Sequence, residues 1–523
     1  MRRCAVRCAC DVPFPRRLTL ALAPAQLERL IAAPPDGVSR PQAAQRRRTV
    51  YWDTAGLALW RAGLGLAVEH DGAGWTQALE PLAPASGAAA PAAEDRVPLP
   101  GPTPDAARLG EPAARARLRG AALQPVFAVE FERRGARWAL APDSEAELCF
   151  DRGAIRAGRR RARLCEIELH AREGAAWRLY EAALALESRA ALRPEPRSRA
   201  ARGYALAFGV GAGPAKADLD VVREPMRADE AFREICLACL AHLEANRPGM
   251  LAGRDPEYLH QMRVALRRLR SAFSVFGRLL PRAATEGPIA EMRRLAAALG
   301  PARDWDVVIA SVIEPLAAQL PGHRGLIALA RALDARRERA RRAAQRAVRS
   351  RAYARFVLGF AAWLGAQPWG SLVTLEEARK LRQPVRRYAE RALARRYRQV
   401  RRRGRGLARL DAAALHRLRI AVKKLRYAAQ FFAPLYSAPA RRADARGARS
   451  AAGGARRHQR LRAGGSARAR GAGAAQQRSA GAGRGARAAL DRDGAPRASQ
   501  APRSGVEGVS RRAALLGGLN AWS

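Results

Sequence analysis

Short alternating runs of apolar and polar residues fill much of the first 173 positions and predict β-strands. Within residues 48–80, the runs TVYWDTAGLALW, GLGLAVEH and GWTQALE are separated by Gly-rich or Asp-Gly turn signals. Residues 81–124 are rich in Ala and Pro and predict a loop followed by a short helix. Strand signals return in PVFAVEFERR, RWALAP, AELCFDRG and RLCEIELHAR. Short strands with frequent turns indicate an antiparallel sandwich or barrel.

Apolar positions change to three- and four-residue spacing in the second half of the chain, which predicts helices over residues 227–436. Examples are FREICLACLAHLEAN, EYLHQMRVALRRLRSAFSVFGRLL and RRYAERALARRYRQVRRR. Long helices with short connections are typical of an all-α helical bundle. A linker with Gly and Pro at residues 211–226 separates this bundle from the strand-rich region at residues 13–210. The predicted fold class is therefore α+β with several domains.

The composition changes abruptly after Tyr436. Residues 437–523 contain no Ile, Phe, Tyr, Met, Lys, Cys or Thr, and consist mostly of Ala, Gly, Arg and Ser. Such a segment has too little apolar surface to offset the entropy of ordering, so we expect disorder. A natural basic tail and a frameshifted reading of the gene both account for this composition.

The 523-residue chain carries a formal net charge of +48, which favours a polyanionic partner. No apolar run is long enough for a membrane span, and residues 1–15 lack the apolar core of a secretory signal. The seven cysteines are scattered, as expected for a reducing cytoplasm. Cys236 and Cys239 resemble half a zinc site, but their helical context predicts two buried structural cysteines.

A repeat with an offset of 156 residues carries the clearest chemistry. The segment HQMRVALRRLRSAFSVF begins at His260 and HRLRIAVKKLRYAAQFF begins at His416, and seven of the seventeen positions are identical. On a helix, each copy has one apolar stripe and one basic stripe. The apolar stripes comprise Met262, Leu266, Leu269 and Phe273 in the first copy and Leu418, Val422 and Leu425 in the second. The basic residues are His260, Arg263, Arg267, Arg268 and Arg270 in the first copy and His416, Arg419, Lys423, Lys424 and Arg426 in the second.

Like charges at three- and four-residue spacing repel each other by a few tenths of a kcal/mol per pair. Because two related helices both retain this electrostatic repulsion, we expect them to share a groove that binds an anion. Base recognition needs polar side chains or aromatic platforms, and Tyr427 is the only aromatic residue adjacent to the basic stripes. The pattern therefore favours bare phosphate over bases, with nucleic acid as an alternative partner.

The motif H-x-x-R-x-x-x-[RK]-[RK]-L-R in both copies resembles that of the CHAD domain family, and LGPARDWDVV at residues 299–308 resembles the motif that follows it in that family. The resemblance implies two related helical bundles that bind inorganic polyphosphate through their basic helices. It also makes polyphosphate granules a candidate location within the cytoplasm. A counterpart of LGPARDWDV is missing after the second basic helix.

The strand-rich region is similar to CYTH domains in YWDTAGLALWRAG, PVF, FDRG, CEIELH and SRAARGY. This resemblance implies a β-barrel tunnel in which acidic residues hold Mg²⁺ or Mn²⁺ and basic residues hold a triphosphate. The matching metal ligands would be Glu166 and Glu168 with Glu145 and Glu147, near Asp151, and the triphosphate ligands would be Arg199 and Arg202.

Several side chains expected from the CYTH resemblance are absent. The family's Glu-x-Glu-x-Lys falls at residues 15–19, which read Pro-Arg-Arg-Leu-Thr. Two expected arginines align with Ala67 and Glu69, and an expected lysine aligns with Glu80. We therefore expect a polyphosphate-binding protein with a degraded triphosphatase-like domain. The alternatives are an active inorganic triphosphatase dependent on Mg²⁺ or Mn²⁺, which would hydrolyse phosphoanhydride bonds, and a nucleic-acid-binding protein.

Overall fold

The structure, a computed structural model, describes most of the chain between Phe14 and Tyr436. The predictions for the tail at residues 437–523 and for the extreme N-terminus fall outside the described residues. The described ranges are 14–72, 74–82, 96–118, 120–209, 213–253 and 255–436.

The first part of the chain forms an antiparallel sheet, as the alternating pattern predicts. Its strands are β1 (Arg17–Ala21), β2 (Gln45–Thr54), β3 (Leu64–His70), β4 (Trp75–Pro81), β5 (Val97–Leu99), β6 (Leu123–Ala141), β7 (Ser144–Ala157), β8 (Arg160–Glu173) and β9 (Arg193–Pro194). The helices of this part are α1 (Pro24–Ala32), α2 (Ala58–Ala62), α3 (Pro112–Leu118), α4 (Arg178–Arg189) and α5 (Arg199–Phe208).

The sheet is open, so the predicted barrel is wrong. The strand order is β5-β4-β3-β2-β6-β7-β8-β1-β9, and the short strands β5 and β9 form the two edges in the part of the chain that is described. Helix α5 covers one face of the sheet, where it packs across β6, β7 and β8. Gly203 permits this close approach, because a Cβ there would lie 1.9 Å from the Phe127 ring.

Part of the predicted strand TVYWDTAGLALW is also wrong, because LALW contributes to helix α2. The buried carboxylate of Asp53 accepts hydrogen bonds from the backbone N–H groups of Leu59 at 3.0 Å and Trp60 at 2.9 Å. These N–H groups belong to the first turn of α2 and would otherwise lack partners. The hydrogen bonds from Asp53 therefore stabilise a helix in a segment whose apolar pattern resembles that of a strand.

The two faces of the sheet differ because side chains alternate along each strand. Leu148, Phe150, Ile167 and Leu169 point to one face and form an apolar core with residues of α1 and α4. Asp151, Glu166 and Glu168 point to the opposite face, beneath α5. The sheet thus places a buried polar cluster on the side opposite its main core.

The second part of the chain is helical, as predicted. Its helices are α6 (Ala228–Ala252), α7 (Pro256–Phe276), α8 (Arg282–Val308), α9 (Glu314–Gln319), α10 (Arg324–Arg349), α11 (Arg351–Ala366), α12 (Leu375–Leu381), α13 (Val385–Arg403) and α14 (Ala412–Phe432). A π-helical turn, Ile309–Ile313, joins α8 to α9.

The repeat seen in the sequence is also a structural repeat. Helices α7 and α14 both have 21 residues. The aspartate before each helix caps its first turn, with the Asp255 carboxylate accepting from Glu257 N and the Asp411 carboxylate accepting from Ala414 N. A carboxylate at this position satisfies a free N–H group of the first turn.

The helical part packs directly on the sheet part. Leu358 of α11 joins the core formed by the sheet and α4. The buried carboxylate of Glu187 in α4 accepts hydrogen bonds from Arg351 Nε at 2.6 Å and Arg355 Nε at 2.5 Å. A Cβ on Gly365 would lie 2.3 Å from the Cβ of Trp177, so glycine is needed for this close contact.

Within the described residues, no helix combines the length and apolar character needed to cross a bilayer. Cys236 and Cys239 are free thiols fully buried in α6, which confirms their prediction as structural cysteines. Burial raises the pKa of both thiols, so they stay protonated near neutral pH.

Candidate functional site

A cleft lined by arginines lies between α7 and α8. It has a volume of about 370 Å³. Arg263, Arg267 and Arg270 of the predicted basic stripe line one wall, and Arg293 of α8 lines the other. The structure therefore brings three predicted residues together with a fourth cation that the sequence analysis missed.

Small residues keep this cleft open. Ala296 and Ala297 of α8 lie along its floor beside Leu266 of α7. The guanidinium of Arg263 donates to the carbonyl oxygen of Ala296 at 3.4 Å. Larger side chains at the two alanines would fill the space that the guanidinium groups now surround.

Few carboxylates neutralise the cleft. Arg263 Nη2 lies 3.9 Å from Asp304 Oδ1, a long ion pair with an exposed carboxylate. Arg267, Arg270 and Arg293 have no ion pair within the described part of the chain. Burial, together with the charges of Arg267 and Arg303, lowers the pKa of Arg263 despite the nearby Asp304. The cleft thus holds cations that would gain from an added anion.

His260 begins the basic stripe and is half-buried. Burial and the charges of Arg303, Arg267 and Arg263 lower its pKa, although Glu257 opposes this effect. The imidazole is therefore mostly neutral at pH 7. The remaining cations of the stripe supply the positive charge.

Tyr427 connects the two basic helices. The Arg267 guanidinium of α7 donates a hydrogen bond to the hydroxyl of Tyr427 in α14. The guanidinium carbons of Arg267 and Arg426 lie 5.9 Å and 5.6 Å from the centre of the Tyr427 ring. The two basic sets therefore meet at Tyr427, and burial with the charges of Arg267 and Arg426 lowers the pKa of the neighbouring Arg268.

The other cations of α14 are open to solvent. Arg426 is half-buried, whereas His416, Arg419, Lys423 and Lys424 are exposed. None of these five residues makes an ion pair with any described residue. The structure therefore presents a second group of cations on α14, a helix that contacts α7 through Tyr427.

The apolar stripes of the two copies are buried to different extents. Met262, Leu266, Leu269 and Phe273 of α7 are all buried, as predicted. In α14, Leu425 is buried but Val422 is 38 % exposed, so its predicted burial is wrong. Helix α7 packs against α6, α8 and α14, whereas α14 packs mainly against α13 and α7 among the described helices.

The polar face of the sheet holds an acidic cluster. Asp151, Glu166 and Glu168 are fully buried, and their ligand oxygens lie within 4.8 Å of one another, close enough to hold a metal ion. Strand pairing explains the grouping, because Asp151 of β7 lies opposite Glu166 of β8. Glu168 follows on the same face of β8.

Arginines surround these carboxylates. Arg199 Nε donates to Glu166 Oε1 at 2.7 Å, and Arg202 Nη2 donates to Glu166 Oε2 at 2.7 Å. Arg133 Nε donates to Asp151 Oδ1 at 2.8 Å. Burial alone would raise the pKa of Glu168, but the charges of Arg199 and Arg17 and the hydrogen bond from His170 hold it well below the usual value.

Two predicted metal ligands lie away from this cluster. Glu145 and Glu147 are half-buried at the start of β7, and Glu147 forms an ion pair with Arg172. Neither belongs to the group of three carboxylates that could share an ion among the described residues.

Two of the positions where the CYTH resemblance expects cations, Glu69 and Glu80, hold acids instead. Glu69 pairs with Arg47 at 3.2 Å and with Arg96. Its pKa is lowered by these two guanidinium groups, although burial opposes the change. Glu80 accepts a hydrogen bond from the Tyr51 hydroxyl at 2.9 Å.

Arg133, Arg17 and Arg293 were not found from the sequence. Arg133 lies on the same face of β6 as Phe131, but its position opposite Asp151 depends on the pairing of β6 with β7. Arg293 was detectable in principle, because it shares a face of α8 with Ala296, Ala297 and Gly300.

The fold and these contacts define a protein with an antiparallel-sheet part and a helical part that presents an arginine-lined cleft. The CHAD domain family matches residues 234–459, so the chain contains a CHAD domain. The CHAD prediction is thereby confirmed, whereas the CYTH resemblance of residues 13–210 stays a prediction.

Several solved structures resemble this chain, among them the three that follow. The CHAD domain from the plant Ricinus communis is 32 % identical and covers 47 % of this chain and 78 % of its own, with a TM-score of 0.37. A protein from Bacillus halodurans described as an adenylate cyclase is 15 % identical and covers 36 % of this chain and 96 % of its own, with a TM-score of 0.24. An adenylyl cyclase from Hippeastrum, described as having a dominant triphosphatase activity, is 12 % identical and covers 36 % of this chain and 94 % of its own, with a TM-score of 0.25.

Proposed function

We propose that this protein binds inorganic polyphosphate through the basic residues of α7, α8 and α14. The observation that carries this proposal is the cleft in which Arg263, Arg267, Arg270 and Arg293 converge. Three of these four arginines have no ion-pair partner among the described residues. A chain of phosphates supplies the missing negative charge over the whole length of the cleft.

The spacing of the cations suits an extended anion. Arg263, Arg267 and Arg270 lie within eight residues of α7, and the first and last are roughly 10 Å apart along the helix axis. The exposed cations of α14, a helix that contacts α7, supply further positive charge. A single small anion would contact only part of this row, so a polymeric anion fits it better.

Phosphate is favoured over nucleic-acid bases by the lining of the cleft. Besides its arginines, the cleft is lined by Leu266, Ala296 and Ala297. It lacks the aromatic platforms on which single-stranded bases usually stack. It also lacks the amide side chains that commonly read base edges. Guanidinium groups alone are well suited to phosphate oxygens.

The expected Mg²⁺ or Mn²⁺ cofactor and triphosphatase activity are not part of this proposal. Every carboxylate oxygen of Asp151, Glu166 and Glu168 already accepts a hydrogen bond from a guanidinium group. We place the protein in the cytoplasm, since the cysteines of the described residues are all free thiols, as expected in a reducing compartment.

The proposal is tested by binding of long-chain polyphosphate to Arg293→Gln at fixed ionic strength. Loss of one charge-assisted contact should weaken binding about tenfold. Isothermal titration calorimetry gives the dissociation constant directly.

Arg294→Gln is the matched control, because Arg294 is the next residue on α8 and is paired with Glu291. It removes the same charge outside the cleft and should change the dissociation constant less than about twofold, as for an exposed pair. Equal effects of the two substitutions would mean that general charge, and not this cleft, holds the ligand.

A further inference from the structure

A dense network of arginines and carboxylates fills the polar face of the sheet. We infer that guanidinium groups have taken the place of a divalent cation there, so that this domain holds its carboxylates together without a metal ion. The inference concerns the sheet and does not depend on polyphosphate binding by the helices.

The carboxylates have no oxygen left for a metal. Arg133 donates to both oxygens of Asp151, at 2.8 Å and 2.6 Å. The two oxygens of Glu166 accept from Arg199 and Arg202. Glu168 accepts from Arg17 through one oxygen and from Arg133 at 2.6 Å through the other. An entering ion would have to break several of these charge-assisted bonds.

The charge balance also opposes a divalent cation. Arg17, Arg133, Arg199 and Arg202 place four positive charges against three carboxylates. A metal ion would add to a cluster that is already positive overall. Repulsion between the ion and the guanidinium groups would be large in a buried site.

The unsatisfied atoms on this face have the wrong polarity for a metal. The buried polar atoms that lack a partner include Arg202 Nε and Arg47 Nε. Both are hydrogen-bond donors. A metal site would instead leave oxygen or nitrogen acceptors without a partner. No oxygen of the three carboxylates lacks a partner within the described residues.

The arginines are held in place by the fold. Arg199 is the first residue of α5, and the Ser198 side chain caps this helix by accepting from Ala201 N. The guanidinium carbons of Arg199 and Arg133 lie 4.2 Å and 5.5 Å from the centre of the Phe131 ring. Both cations therefore rest on an aromatic face, which stabilises their charged form.

Arg17 is the fourth arginine of this network. In β1 it lies opposite His170, with Thr19 opposite Glu168. Its guanidinium forms an ion pair with Glu168 and so adds a positive charge to the cluster. The network also fastens α5 to β7 and β8, because Arg199 and Arg202 come from the helix and their acceptors from the strands.

The inference is tested by adding Mn²⁺ to the full-length protein and following free Mn²⁺ by electron paramagnetic resonance. We expect no stoichiometric uptake, and we expect the same melting temperature in excess Mn²⁺ and in EDTA. Uptake of one Mn²⁺ per chain that disappears in Glu166→Gln would overturn the inference.

A second measurement examines the arginines themselves. Arg199→Gln should lower the melting temperature by about 10 °C, because it leaves buried carboxylates short of a partner. If this variant does not fold, Arg202→Gln, which removes a single bond to Glu166, should show a smaller decrease. Arg159→Gln, at an exposed turn between β7 and β8, is the control and should melt like the wild type. A wild-type melting temperature for both Arg199→Gln and Arg202→Gln would contradict the inference.

Discussion

His242 shows how one buried residue makes stability depend on pH. Its Nε2 lies 3.0 Å from the carbonyl oxygen of Ala215 and 3.1 Å from Gln261 Oε1, so the neutral ring carries its proton on Nε2. Its Nδ1 is buried and has no hydrogen-bond partner within the described residues. Burial and the charge of Arg268 lower the pKa of His242 to about 4.

This lowered pKa predicts a loss of stability on acidification. Between pH 6.5 and 4 the unfolded chain binds a proton at His242 that the folded chain does not bind, so the free energy of unfolding falls as the pH falls. The decrease from this residue should reach about 2 kcal/mol at pH 4.5. Urea unfolding of the wild type and of His242→Gln at several pH values measures it, and identical pH dependence of the two proteins would refute the assignment.

The sequence identified many site residues but not how they contact one another. His260, Arg263, Arg267 and Arg270 were visible because helical periodicity is local. The partnership of Arg133 with Asp151 was not visible, because it depends on pairing between two long strands. To predict which charged residues pair across a sheet, one must know the register of the strands, and a single sequence does not give that register.

At the scale of elements, α7 and α14 are two copies of one helix in different surroundings. Leu259 of α7 is 5 % exposed, whereas Leu415 of α14, at the same place in the repeat, is 43 % exposed. Ile420 and Val422 of α14 are exposed to a similar extent. The difference arises because α7 packs against α6, α8 and α14, whereas α14 packs mainly against α13 and α7 among the described helices.

This asymmetry predicts unequal effects of the same substitution. Leu259→Ala should lower the free energy of unfolding by about 2–4 kcal/mol, since it leaves a cavity in a packed interface. Leu415→Ala should cost less than about 1 kcal/mol, because its side chain already contacts solvent. Chemical denaturation of both variants provides the comparison, and equal losses would show that Leu415 is buried in solution.

Element types were easier to predict than their arrangement. The helices over residues 227–436 followed from their period, and the strands followed from alternation. The open sheet was not predictable, because closure depends on which edge strands pair and on where α5 packs. The short helix α2 was missed because its cap comes from the side chain of Asp53, just ahead of the segment.

At the scale of the whole molecule, the sheet and helical parts share a packed boundary. Glu187 of the sheet part holds two arginines of α11, and Tyr353 of α11 donates to Glu244 of α6. Arg247 of α6 also donates to the carbonyl oxygen of Pro194 in β9. These contacts therefore fix the position of α6 relative to the sheet. Helix α6 in turn packs against α7, which lines the cleft.

The charge distribution also belongs to this scale. On the polar face of the sheet, Arg133, Arg199 and Arg202 pair with buried carboxylates, so most of their positive charge is compensated there. Around α7, α8 and α14 the arginines largely lack such partners. The helical part therefore carries the positive charge that is free to attract a polyanion, which is the central claim of the proposed function.

Competition between polyphosphate and single-stranded DNA tests this claim most directly. Labelled polyphosphate bound to the full-length protein is displaced with unlabelled polyphosphate or DNA at equal phosphate concentration and fixed salt. We predict that polyphosphate displaces the label at a much lower concentration than DNA, and that Arg263→Gln combined with Arg267→Gln removes this preference. Displacement by DNA at an equal or lower concentration in the wild type would contradict the account.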